Sequence, residues 1–106
     1  MVKPGIIDTS MAHRIGATPK SAYPHANRIA TRFKTTLETA PVPPSLVADK
    51  ILEVAQSDSW QLRLLVGPDA VGLIEWRKGM SDEEWVDLHA ADDEDFGRRM
   101  GAAAAN

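Results

Sequence analysis

Few residues in this 106-residue chain could do chemistry, and most of them stand alone. The three histidines, His13, His25 and His89, lie 12 and 64 positions apart, so no two share a helical turn as a helix-borne metal site requires. Eight carboxylates crowd into residues 82–95 with no Lys or Arg among them: Asp82, Glu83, Glu84, Asp87, Asp92, Asp93, Glu94 and Asp95. They lack the alternating spacing and central glycine of a calcium loop and read as a solvated helix end. The seven glycines form neither a Gly-x-Gly-x-x-Gly turn nor a phosphate loop. No Ser/His/Asp spacing suggests a nucleophilic triad. With no cysteine, thiolate ligands, disulfides and a thiol nucleophile are all ruled out.

Charge is distributed unevenly. Residues 1–34 hold Lys3, Arg14, Lys20, Arg28, Arg32 and Lys34 against Asp8 alone, a net of +5, which leaves −8 for the other 72 residues of a chain whose total is −3. The acidic end argues against nucleic acid as a partner. The basic front suits an anionic ligand, and is equally well explained by solvated Lys and Arg on an amphipathic helix.

The length allows one small domain, and 43% hydrophobic residues is ordinary for a globular chain. No apolar run approaches the ~20 residues of a membrane span. The start, Met1-Val2-Lys3-Pro4-Gly5, has no apolar core of a signal peptide, so a cytoplasmic location is expected and no membrane partner.

The elements that must position these residues can be read from punctuation and period. Around Pro4-Gly5-Ile6-Ile7, the end of a strand turns into a polar loop over residues 10–25. A helix follows from Ala26 to Ala40, with Ile29, Phe33 and Leu37 on its apolar face. Pro41-Val42-Pro43-Pro44 ends it. Ser45 is the expected N-cap of a helix over 46–57. Leu62–Val66 reads as a buried strand, and Asp69 as the cap of a helix over 70–78 closed by a left-handed Gly79. Ser81 and Glu84 have capping-box spacing, flanked by Met80 and Trp85 as a staple, and predict a helix over 82–91. Gly101–Asn106 reads as a frayed end. The single strand at 62–66 needs neighbours for its ladder that this pattern does not supply.

One stretch is more specific. Pro4-Gly5-Ile6-Ile7-Asp8-Thr9-Ser10-Met11 resembles the Pro-Gly segment that follows the sixth strand of short-chain dehydrogenases/reductases, roughly P-G-x-[IV]-x-T-x-[ML]. The order of elements down to Leu64-Leu65-Val66-Gly67-Pro68-Asp69 is similar to that family's C-terminal third, and Arg77–Trp85 is similar to the tail of some members. The resemblance covers residues 2–100. It implies an α/β fold, the C-terminal part of a doubly wound (Rossmann-type) domain, mostly helical with one complete strand in this chain. Residues 10–40 would be the substrate lid, 46–57 a helix, 62–66 the last strand, 70–91 the terminal helices and 101–106 a frayed tail.

The same resemblance implies a cofactor site at Pro4, Gly5, Ile7 and Thr9. Pro4 and Gly5 would let the backbone approach a nicotinamide ring. Ile7 would hold the carboxamide through its backbone, or simply pack in the core. Thr9 would hydrogen-bond near the carboxamide or pyrophosphate, or make only a local turn bond. The family's catalytic Tyr-x-x-x-Lys is missing: the sole tyrosine, Tyr23, is followed four residues later by Asn27. The Gly-rich cofactor turn is missing too. The chain therefore resembles the C-terminal portion of an enzyme that uses NAD or NADP on a small carbonyl or alcohol substrate. No catalytic or metal-binding residues are assigned to it. It is expected to need the missing N-terminal portion of the domain as its partner, and to bind no cofactor and be inactive alone. The rival reading is a stand-alone helical interaction module whose acidic last helix meets a basic partner.

Overall fold

Valines and leucines flank the two glycine-proline turns, and these short β-favouring runs are the ones that pair. In the computed structural model, which describes residues 1–105, β1 (Val2–Pro4) lies parallel to β2 (Leu64–Val66). The register sets Val2 against Leu64, Lys3 against Leu65 and Pro4 against Val66. The bond from Gly5 N to Val66 O (2.9 Å) continues the ladder past Pro4, which has no N–H to donate. The strand expected over 62–66 is shorter, Leu64–Val66, and has one neighbour, formed by Val2–Pro4 rather than by Ile6-Ile7. Both outer edges of the pair lack a strand partner among the described residues.

The crossover between the strands carries α1 (Ser10–His13), α2 (Arg28–Thr39) and α3 (Pro44–Ala55). After β2 come α4 (Pro68–Lys78), α5 (Asp82–Ala90) and α6 (Asp93–Ala105). The chain is a small, mostly helical α/β protein with six helices and a two-stranded parallel sheet.

Several helix ends differ from the sequence expectation, each for a physical reason. α3 starts two residues early because Pro44 takes the first helical turn, where a missing N–H costs nothing, so Ser45 lies inside the helix and not at its cap. Gly67, at φ 96°, is the residue before α4, and Asp69 makes no capping bond. Gly79 ends α4 at φ −81°, a right-handed conformation. The loop over 10–25 contains α1, nucleated by the Thr9 hydroxyl accepting from Ala12 N (3.2 Å). The capping box of Ser81 and Glu84 is formed in both directions. α6 was not expected: its start is marked by Asp92, whose Oδ1 accepts from Asp95 N (2.9 Å), and it continues through Gly101–Ala105, where a frayed end was expected. Asn106 lies outside the described residues.

The core is small: among the described residues the buried apolar ones are Ile6, Ala12, Val42, Val66, Ala70 and Leu88. None of α2 is buried, although its sequence is strongly amphipathic, and Ile29 on its apolar face is 66% exposed. A second cluster joins the C-terminal helices through a run of rings: Trp76 meets Trp85 edge-on (5.8 Å), Trp85 meets His89 (4.3 Å) and His89 meets Phe96 (5.4 Å).

Candidate functional site

The four residues marked out in the sequence all sit on the turn at the carboxyl end of the sheet and the step into α1. Pro4 ends β1, and Gly5 N is fixed on Val66 O. Ile6 is buried, and its N–H donates to Asp69 Oδ2 (2.7 Å). The other oxygen, Asp69 Oδ1, is buried with no hydrogen-bond partner. It fills the space a side chain on Gly5 would need: a Cβ there would stand 2.1 Å from it. A Cβ on Gly67 would stand 3.0 Å from the same oxygen. Two glycines and one aspartate therefore form a single packed unit, in which the carboxylate at the start of α4 shapes the turn after β1.

Ile7 is half-buried next to this unit. Asp8 N donates to Val42 O (2.8 Å), which ties the turn to the segment before α3. The Thr9 hydroxyl accepts from Ala12 N, so the local turn bond is present. One turn later His13 returns to the same place: its Nε2–H donates to Asp8 Oδ1 (2.6 Å), with both side chains partly exposed. A carboxylate holding one ring nitrogen fixes the ring and leaves Nδ1 for another partner. His13 also lines an open cleft of about 690 Å³ between α1, residues 15–17 and α2.

A second constellation holds α2 against the C-terminal helices. The Arg28 side chain is only 12% exposed. Its Nε donates to Asp93 Oδ1 (2.7 Å), one Nη to His89 O (3.2 Å) and the other to Ala91 O. The guanidinium lies 4.3 Å from the centre of the Phe96 ring. It therefore satisfies carbonyls left free at the end of α5 while pairing with the first residue of α6. His25, at φ 64°, places Nδ1 2.8 Å from Arg28 Nη2 and 3.1 Å from Asp93 Oδ1. That nitrogen accepts from Arg28 when it has no proton and donates to Asp93 when it has one. The Arg28 hydrogen bond, with a smaller one from His25, holds the Asp93 carboxyl below its ordinary value against an opposing desolvation effect.

No group of three or more His, Asp or Glu side chains able to hold a metal ion occurs among the described residues. Sequence reading placed Pro4, Gly5, Ile7 and Thr9 on one turn. It missed Asp69, read as a helix cap, and the pairing of Asp8 with His13. It also missed Arg28, which looked like one more solvated cation. The Asp8–His13 spacing was visible; the bonds of Asp69 and Arg28 span more than sixty residues and left no local signal. Comparison with family models, with curated proteins and with solved structures returned no match.

Proposed function

We propose that the chain is the C-terminal portion of an NAD(P)-dependent short-chain oxidoreductase, supplying the Pro-Gly turn beside the nicotinamide and the lid over the substrate. The parallel pairing of β1 with β2, with the Gly5–Thr9 turn at its carboxyl end, is the observation that carries this reading. In open parallel sheets, ligands bind outside the carboxyl ends of the strands. Parallel strands also belong to sheets covered on both faces, and a two-stranded pair with open edges fits as part of a larger sheet. In this role Pro4 and Gly5 form the turn, held by Asp69, from which Ile7 presents its backbone to the cofactor, and the Thr9 hydroxyl bonds near the carboxamide or pyrophosphate. The partners are then the remainder of the domain and a small carbonyl or alcohol substrate.

The test is to read the coding DNA before the first codon, and neighbouring frames, for a β-branched run, a Tyr-x-x-x-Lys on a helical pattern some 30 residues earlier and a Gly-rich turn. That segment is then joined to this chain and NAD(P)H binding is measured by fluorescence. Cofactor binding by the joined protein, weakened by Thr9→Ala, is the expected outcome. Absence of such a segment, or a joined protein that binds no cofactor, removes the reading. The helical interaction module, with its acidic α5–α6 end facing a basic partner, then becomes the better account.

A further inference from the structure

α3 is apolar on two sides, and the fold uses one of them. Val47 and Val54 are half-buried where the helix packs on β1 and β2. On the far side Ala48, Ile51, Leu52 and Ala55 are all exposed, Ile51 by 53% and Leu52 by 56%. Their positions run i, i+3, i+4 and i+7, the spacing of one continuous stripe along a helix. No charge interrupts it. Lys50 and Glu53 pair with each other (2.9 Å) and lie off the stripe, on the other side of the helix.

The rest of a layered domain does not reach this stripe. An α/β domain lays helices on the faces of a sheet, and further strands join at the sheet's edges. The outer side of a helix already seated on the sheet therefore points out of the domain, and covering it takes another molecule. The stripe is also symmetric in size: small, large, large, small. Turned end for end about a twofold axis between Ile51 and Leu52, it matches itself. Ile51 then meets Leu52 of the second copy, and Ala48 meets Ala55. A twofold dimer uses one such self-complementary patch from each subunit. The surface suffices as well. A specific interface takes about 800 Å² from each partner. That is less than half of the ~2,000 Å² by which the accessible surface of 7928 Å² exceeds that of a folded monomer of 11.6 kDa.

We propose that a second copy of this chain docks on the outer face of α3, with the two helices antiparallel about a twofold axis between Ile51 and Leu52. The pairing does not depend on what the end of the sheet binds.

Two measurements on the full chain test it. In sedimentation equilibrium the chain should form a dimer. Leu52→Glu places an unpaired carboxylate at the centre of the stripe and should weaken that dimer at least about tenfold. Trp60→Ser, an equally exposed apolar position at the entry to β2, should leave it unchanged. The register is read by cross-linking, since the natural chain has no cysteine to compete. Ala48 and Ala55 stand about 10 Å apart along the helix. Antiparallel pairing therefore keeps each from its own counterpart, beyond the ~4.4–6.8 Å a disulfide spans between Cα atoms. Under mild oxidation a mixture of Ala48→Cys and Ala55→Cys chains should cross-link, and either variant alone should not. Leu52→Glu in both chains should abolish the cross-link, with an unchanged far-UV spectrum reporting an intact fold. A chain that stays monomeric at millimolar concentration overturns the proposal. So does association that Trp60→Ser removes and Leu52→Glu does not, or single variants that cross-link as well as the mixture.

Discussion

At Gly5 the requirement for glycine comes from a neighbour distant in sequence. The residue before it ends a strand, and the space beside its Cα is filled by Asp69 Oδ1. Asp69→Ala strands the buried Ile6 N–H and should cost about 1–3 kcal/mol. Gly5→Ala should cost at least as much, because the carboxylate must swing out and lose the same bond. In the double variant the methyl group has room, so the two losses should fall short of additivity by about 1–3 kcal/mol. Urea denaturation of the four proteins measures this, and strict additivity would show that Asp69 does not shape the turn. Thr9→Ala should weaken cofactor binding by the joined protein by about 0.5–1.5 kcal/mol, the net value of one hydrogen bond. At this scale the sequence identified the turn because Pro, Gly and Thr are punctuation. It did not identify Asp69, because a helix-start aspartate looks the same whether it caps its own helix or reaches across 63 residues.

At the scale of elements, the joint between α2 and the C-terminal helices depends on Arg28. Its guanidinium bonds to Asp93, His89 O and Ala91 O from a nearly buried position. Arg28→Met keeps the stem but leaves those acceptors unpaired, and should cost about 1.5–3 kcal/mol. Lysine should recover only part of this, since a point charge cannot fork to three acceptors. Hydrogen exchange should rise in residues 28–39 and at the α5–α6 junction while β1 and β2 stay protected; uniform change across the chain would contradict a local clamp. The clamp has a definite pH sense. Arg28 holds Asp93 below the ordinary carboxylate range, so its stabilisation is fully present above the unfolded aspartate value and is lost as pH falls through the lower folded one. Asp93→Asn should flatten the acid limb of the exchange profile at this joint. The capping box at Ser81 was legible because its signal is three residues long, and the helix it starts ends within one residue of expectation. α6 was hidden by the acidic run and by glycines at 97 and 101, which lower helix propensity but are outweighed by the Asp92 cap and the packing of Phe96 on His89.

For the whole molecule, the quantity that matters is surface left uncovered. A globular chain of 11.6 kDa has an accessible area of about 5,800 Å² by the size scaling of folded monomers, whereas this one exposes 7928 Å². Its radius of gyration is 15.7 Å, against about 13 Å for a compact domain of the same length. The excess, about 2,000 Å², has the size of a substantial protein interface. Part of it is apolar: Trp60 is 94% exposed, Leu62 78% and Met1 74%, beside the entry to the strands, and Ile51 and Leu52 on α3 are more than half exposed. The sequence foretold this in the form of a strand with too few neighbours, but its apolar periodicity overstated the core, because a stripe of the right period does not reveal whether anything covers it. The six buried apolar residues among those described offset little of a backbone ordering cost of ~1–2 kcal/mol per residue. The isolated chain should therefore give a helical far-UV spectrum, a broad melt whose calorimetric and van't Hoff enthalpies disagree, and concentration-dependent association. Joined to the remainder of a doubly wound domain, the same residues should melt in one cooperative step, and Trp60 emission should shift to the blue as its ring is covered. A sharp two-state transition in a monomer of the isolated chain, with Trp60 still in water, would show that the exposed residues need no covering and would favour the interaction module.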